Sequence, residues 1–281
     1  MSTPTPTHTL TEHTAAATLP APARPGTTPR TALADIWDVA GRNLRILMRT
    51  PQALVFATLQ PVLFVLLFRY AFGGAIHVPG VTYVDYLMPG IFAQAVAFGA
   101  IGTAVGLSAD LRSGVVTRMR TLPMARTAVL AGRTLADLAR SIVVIAVMVG
   151  VGFAVGFHVH TGAAGLLAAL GLVGLFGYAL CWVFVTLGLL IGDPESAQAA
   201  GVPIMFLLVF SSNAFVPIDT MPGWLQAIGN HQPVTALVNA ERALVLGGPA
   251  AHAVWTSLAW SAGIMAVFTL AAARRYARMG R

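Results

Sequence analysis

Six arginines, Arg112, Arg118, Arg120, Arg126, Arg133 and Arg140, stand within residues 110–140, with Asp110 and Asp137 as the only carboxylates among them. A guanidinium is a rigid forked donor that pairs with carboxylates, phosphates or backbone carbonyls. A cluster of this kind either orients a loop at a membrane or docks a partner. The arginines alone fit the first role under the positive-inside rule. The punctuation of the stretch fits the second: Gly114 permits a sharp turn, and Pro123, within Leu122-Pro123-Met124, sets a helix boundary. A docking element of this sort is short, rigid and exposed, with Arg118, Arg120 and Arg126 as its donors.

Other chemistry is largely excluded. All 17 basic residues are arginine, so the chain has no Walker A lysine to reach a nucleotide phosphate and no Schiff-base lysine. The single cysteine, Cys181, lies in an apolar run and reads as a small packing residue. His158 and His160 lack a third ligand and do not make a metal site. No HExxH motif or nucleophile elbow is present.

The elements that must carry the island are hydrophobic. Apolar residues make up 57% of the chain and charged residues 10%, against about 25% charged in a soluble domain. The expected fold is therefore all-α and integral to a membrane. Six spans are read at about 51–70, 85–109, 141–157, 164–191, 197–216 and 250–273, with the second half of the island, 127–140, able to be helical ahead of the third. Residues 1–30 read as a disordered cytoplasmic tail, 50–273 as the six-span domain and 274–281 as a basic tail. The basic balance does not point to nucleic acid, because the arginines adjoin apolar spans.

Residues 31–49 read as an amphipathic helix in the interface plane. Ile36, Trp37, Ala40, Leu44 and Leu47 share one face, and Asp35, Asp38, Arg42, Arg45 and Arg49 the other. Arg69, at the far end of the first span, reads as a snorkelling interfacial residue or as a group lining a path. Gly152 and Gly156 form a small-xxx-small pair suited to close helix contact. Residues 217–248 are too polar to span and read as two short amphipathic helices broken near Gly229-Asn230 and Pro233.

Orientation follows from arginine asymmetry. With both termini cytoplasmic, Arg24, Arg30, Arg42, Arg45, Arg49, the six island arginines, Arg274, Arg275, Arg278 and Arg281 all face inward, leaving Arg69 and Arg242 outside. On this reading the span interiors hold no ionisable residue. That disfavours ion-coupled transport and channel conduction. Ser211, Ser212 and Asn213, late in the fifth span, are the clearest polar cluster for a pathway. A charged docking loop with no internal energy source points to the membrane half of a transporter driven by a separate ATPase.

The island then resembles the cytoplasmic loop of type-2 ABC exporter permeases, in the daunorubicin/doxorubicin-resistance branch. The residues that carry the likeness are Asp110, Gly114, Arg118, Arg120, Leu122-Pro123, Arg126 and Gly132-Arg133. MPGWLQAIGNHQPVTALVNAERAL and TPQALVFATLQPVLFVLLFRYAFGGAI add to it. The resemblance implies a six-span permease that dimerises and binds two copies of an ATPase subunit, where ATP and magnesium are held; this chain would bind no cofactor. It implies that residues 31–49, with Trp37, Arg42 and Arg45, form an interface helix, that 110–126 carry a coupling helix, and that Asp110, Gly114, Arg118, Arg120, Pro123, Arg126 and Arg133 serve in coupling to the ATPase. It also implies that 217–246, with Pro222, Trp224 and Pro233, form a re-entrant gate before the last span. The expected cargo is a hydrophobic or amphiphilic small molecule such as an antibiotic. The other readings are export of a lipid-linked glycan or lipid, and a membrane anchor or sensor subunit that moves nothing.

Overall fold

The computed structural model describes residues 51–74, 76, 78, 80–115 and 128–278, together with Trp37, Ala40, Gly41 and Arg45. Helix α1 runs Pro51–Leu66 and continues as a π-turn over Leu67–Phe72; α2 is Tyr83–Arg112; α3 is Ala128–Ala154; α4 is Gly162–Ile191; α5 is Pro194–Phe210. A short 3-10 turn at Ile218–Thr220 precedes α6, Gly223–Asn230, then α7, Pro233–Leu246, and α8, Ala250–Arg278. Among the described residues all regular structure is helical.

Four helices are long and apolar enough to cross a bilayer: Tyr83–Arg112, Leu130–Ala154, Gly162–Ile191 and Ala250–Arg278. Two shorter apolar helices, Ala57–Phe72 and Pro194–Phe210, accompany them. Helices occupy all six stretches read as spans, but among the described residues only four of them have spanning length.

Local chemistry explains the boundaries. The Thr82 hydroxyl accepts from the Asp85 backbone N–H and caps α2. Gly192 takes φ 72° and ends α4; Asp193 then caps α5, with Pro194 in its first turn. Gly-Asp-Pro is thus a stop and a start in three residues.

Helix α2 is the hub. Its apolar window is 72% buried, against 17% for α8, which places α8 at the periphery. Phe92, Ile91, Leu87, Met88 and Leu107 of α2 are fully enclosed together with Phe176 and Phe184 of α4. By contrast, Leu167, Leu207, Trp255 and Val267 are exposed. An isolated chain with such outward-facing side chains needs lipid or another apolar surface to cover them.

Three expectations are refined. The stretch 127–140 is helical as the sequence allows, and α3 is continuous from Ala128. Its apolar spanning stretch starts at Leu130 rather than Ser141, so Arg133, Asp137 and Arg140 belong to the spanning helix, which packs along α2. The fifth helix ends at Phe210, so Ser211, Ser212 and Asn213 sit in the turn beyond it. Of the glycine pair, only Gly152 makes a close contact, against Met88; Gly156 lies past the helix end with φ 93°.

Candidate functional site

Two polar clusters mark the two ends of α2. At the end adjoining the arginine-rich loop, α2 stops at Arg112 and Gly114 turns the chain with φ 73°. Arg118, Arg120, Pro123 and Arg126 lie outside the described residues, as does Arg42. Asp110 and Arg133, on either side of that stretch, meet: Arg133 Nη1 stands 2.5 Å from Asp110 Oδ2. Arg133 Nε is 3.9 Å from Asp137, and Arg140 Nη2 is 3.6 Å from the other oxygen of Asp137. The Thr103 hydroxyl donates to Asp137 at 2.7 Å, and Arg140 donates to the Gly99 carbonyl at 2.6 Å.

These groups form an alternating ladder, Asp110–Arg133–Asp137–Arg140, running up the α2–α3 interface. The side chains are only 14–27% exposed. Gly102 and Gly106 of α2 make room for it. A Cβ at Gly106 would fall on the Arg133 guanidinium, and one at Gly102 would stand 2.9 Å from Arg140 Nη1. This small-xxx-small pair admits arginine heads rather than a neighbouring backbone.

The stretch 141–157 holds no ionisable group, as expected, but the spanning helix starts earlier, at Leu130, and so takes in Arg133, Asp137 and Arg140. Hydropathy averages do not show the ladder, because Arg133, Asp137 and Arg140 stand within a helix rich in Ala, Val and Leu, and the second aspartate, Asp110, comes from α2. The signal that was legible is the Arg133, Asp137, Arg140 spacing, three to four residues apart, which puts all three on one helical face.

At the same end, exposed Arg112 reaches Asp193 at 3.1 Å and Glu195 at 3.3 Å, tying α2 to the α4–α5 junction. The Ser196 backbone N–H, the largest influence on Asp193, holds its carboxyl below the ordinary value near 3.8, and Arg112 adds to that.

At the opposite end, the turn after α5 is fastened to α2 and α7. The Tyr83 hydroxyl donates to Phe215 O at 3.1 Å and the Tyr86 hydroxyl to Asn213 O at 3.1 Å. Arg242 of α7 lies 3.4 Å over the Tyr86 ring and donates to the carbonyls of Tyr86, Asn213 and Ala214. Asn213 donates to Asn239 at 2.6 Å, and Gln232 donates to the Ser211 hydroxyl at 3.2 Å. Ser212 donates back to Val209. The Ser211–Asn213 cluster is therefore bonded into this turn. Asp85 accepts from the His158 N–H at 2.7 Å and stands 3.9 Å from His160 Nε2. Thr161 donates to Leu244 O at 2.5 Å, fixing the α3–α4 turn to the end of α7.

Pro222 precedes α6 and Pro233 opens α7. Trp224 and Ile228, one turn apart on α6, both face outward. Sequence reasoning missed Arg242, Tyr83 and Tyr86. Arg242 stood out only as one of two arginines left off the basic side.

Trp37 is exposed and Ala40 buried, and Arg45 donates to Gly41 O at 3.2 Å. The rest of 31–49 lies outside the described residues. Arg69 sits on the π-turn, exposed, 5.9 Å from the Tyr70 ring.

A helical bundle with four apolar helices of spanning length, outward-facing apolar side chains and internally neutralised charges is a multi-pass membrane protein. Residues 35–246 match the model of the ABC-2 type transporter family, and the chain belongs to that family. It is 34% identical over 244 residues to the daunorubicin resistance ABC transporter permease protein DrrB1 of Streptomyces coeruleorubidus, covering 87% of this chain and 85% of that one. It is 29% identical over 226 residues to a probable doxorubicin resistance ABC transporter permease protein, DrrC, of Mycobacterium tuberculosis, covering 79% and 80%. It is 24% identical over 213 residues to the putative transport permease ycf38 of Cyanophora paradoxa, covering 74% and 71%.

Proposed function

We propose that this chain is the permease subunit of an ATP-driven exporter that moves a hydrophobic or amphiphilic small molecule of the antibiotic class out of a bacterial cell. The observation that carries the reading is the 34% identity, across most of both chains, to a permease named for daunorubicin resistance. In this reading ATP and magnesium bind a separate ATPase subunit, because this chain has no lysine for a Walker A loop. Two permease copies and two ATPase copies assemble in the plasma membrane, with both permease termini in the cytoplasm.

The parts take these roles. Residues 31–49, with Trp37, Arg42 and Arg45, lie along the cytoplasmic interface. The loop from Asp110 to Arg126, with Gly114, Arg118, Arg120 and Pro123, docks the ATPase. Residues 217–246, with Pro222, Trp224 and Pro233, dip into the outer leaflet as a gate. Ser211, Ser212 and Asn213 border the path where that gate joins the bundle.

Helix α2 supports a mechanical link between the two ends. Its 30 residues make a rod of about 45 Å. One end is clamped by Asp110–Arg133 beside the docking loop. The other end holds the gate through Tyr83, Tyr86 and Arg242. A push on the loop that tilts α2 must therefore strain the bonds that close the gate.

The test is drug accumulation in cells carrying this chain with its ATPase, with a hydrolysis-dead ATPase, or alone. Lowered accumulation only with the active pair is expected. Equal accumulation in all three would overturn the reading.

A further inference from the structure

A cavity of about 260 Å³ lies between α1, α2 and α3, lined by Ala57, Gln60 and Pro61, by Gln94, Ala95, Phe98, Gly99 and Gly102, and by Arg140. We propose that it is a binding subsite for the oxygen-bearing end of the transported amphiphile, with Arg140, Gln94 and Gln60 as its recognition groups. The proposal rests on the export reading above and deepens it.

Three observations support it. First, two of the polar groups, Gln94 and Arg140, converge well inside the bundle. Gln94 and Gly102 lie 11 and 19 residues into α2, roughly 17 and 29 Å along its axis. A guanidinium and a carboxamide at that depth, within walls of alanine, proline and phenylalanine and with the exposed Gln60 also lining the cavity, give an apolar pocket with a few placed donors.

Second, Gln94 is 1% exposed, and neither its amide nitrogen nor its oxygen has a partner among the described residues. Leaving a buried amide unpaired costs stability that a leucine of similar size would not. Such a group is retained where something else uses it. Arg140 Nε is likewise unpartnered, while its Nη2 is held by Gly99 O. The guanidinium is therefore fixed in place beside the cavity.

Third, the size fits one end of a ligand. Pockets that enclose a drug-sized molecule run to roughly 300–1,000 Å³. This one admits a ring or head bearing carbonyl or hydroxyl oxygens, with Phe98 as an aromatic wall, and leaves the remainder of the molecule among the apolar helices. Arg140 is also the last rung of the ladder that begins at Asp110, so the subsite shares a residue with the chain of charges rising from the docking loop.

The test uses daunorubicin, which is fluorescent and carries quinone and phenol oxygens. Its anisotropy is titrated on the purified permease in nanodiscs, referenced to empty nanodiscs, alongside thermal melting and export from cells with the ATPase. Two variants decide it. Gln94→Leu removes the amide at similar volume. Gly99→Leu adds bulk where a Cβ meets nothing within 4 Å, filling the cavity from its wall. Binding weakened tenfold or more in both, with the Gln94→Leu melting temperature unchanged or raised, is the expected result. If the wild type exports daunorubicin and both variants bind and export it equally well, the subsite is wrong and the export reading stands. A lowered melting temperature for Gln94→Leu with normal binding by Gly99→Leu would make Gln94 a structural group and likewise overturn the subsite. If the wild type neither binds nor exports the drug, the export reading for this class fails and the subsite falls with it.

Discussion

Arg133 and Asp110 face each other at 2.5 Å, on either side of the stretch proposed to dock the ATPase. Asp110 lies in the last turn of α2 and Arg133 near the start of α3, so the pair ties the end of one helix to the beginning of the other. The pair is partly buried, and breaking it leaves a poorly solvated charge. Single changes Asp110→Asn or Arg133→Gln are expected to cost about 1–3 kcal/mol in stability. Co-purification with the ATPase should weaken alongside. A double-mutant cycle through Asp110→Asn/Arg133→Gln checks it: coupling of about 1 kcal/mol or more is expected, and additive losses would mean the two do not act as a pair.

The clamp at the other end of α2 makes a separate prediction. Tyr86→Phe keeps the ring under Arg242 and removes the hydroxyl, with its bonds to Asn213 O and to the Arg242 guanidinium, a change of about 1–2 kcal/mol. Arg242→Gln removes the cation over the ring and the donors to three carbonyls, with an expected cost of about 2–4 kcal/mol. Both variants should insert normally. Melting temperature and export, measured at equal membrane levels, should fall more for Arg242→Gln. The reverse order would show that the ring contact contributes little.

Much of this was legible in the chain. Apolar runs bounded by Gly-Asp-Pro, by Thr82 with Asp85, and by Pro222 and Pro233 mark where helices start and stop, and the helices fall there. The charge ladder was less legible. A hydropathy window weighs Arg140 and Asp137 as two penalties, although in space they neutralise each other and bond to Gly99 and Thr103. The outer clamp was not legible at all: Tyr86 and Arg242 are 156 positions apart, and no local periodicity links them. The cavity escaped for the same reason, since Gln60, Gln94 and Arg140 come from three helices.

Acid should loosen the α4–α5 junction. The Asp193 carboxyl is held below its ordinary value, first by the Ser196 N–H and also by Arg112. A depressed carboxyl pKa contributes stability above the unfolded value and loses it as pH falls through the folded one. The contribution is therefore intact at neutral pH and fades below about pH 4. The group is solvent-exposed, so the loss is small and salt-sensitive. Melting curves between pH 7 and 3 for wild type and Asp193→Asn should converge at the acid end. Parallel curves would mean Asp193 contributes nothing through its charge.

Topology is testable with single cysteines on a Cys181→Ala background, because Cys181 is buried. Thr220 is exposed in the short turn before α6, in the segment proposed as the gate. A cysteine there should react with an impermeant reagent applied outside intact cells. One at position 120 should react only after permeabilisation. Outside labelling at position 120 would invert the orientation and place the docking loop where no ATPase can reach it.

The docking loop itself is tested by charge reversal at Arg118, Arg120, Arg126 and Arg112. The first three are the donors proposed for the partner. Truncating one member of a buried charged pair costs about 2–5 kcal/mol, and removing a rim charge much less. At about 1.4 kcal/mol per tenfold, a central arginine changed to glutamate should weaken assembly roughly 30-fold or more. Arg112 serves as the internal comparison, and the structure gives it a definite job within the chain. It bonds Asp193 and Glu195 while 65% exposed, and such a surface pair contributes about 0–1 kcal/mol. Arg112→Gln should therefore be close to wild type. Arg112→Glu sets a third carboxylate against two others and should lower melting temperature slightly without selective loss of the ATPase. Co-purification and export at equal membrane levels give the readout. Selective loss of assembly in Arg118→Glu, Arg120→Glu or Arg126→Glu, with Arg112→Glu still assembled, supports docking. Normal assembly and export in all four would reduce the loop to an orientation signal. If the reversals block insertion, Arg→Gln at the same positions separates the two roles, because it removes the donor fork without presenting a negative charge to the membrane surface.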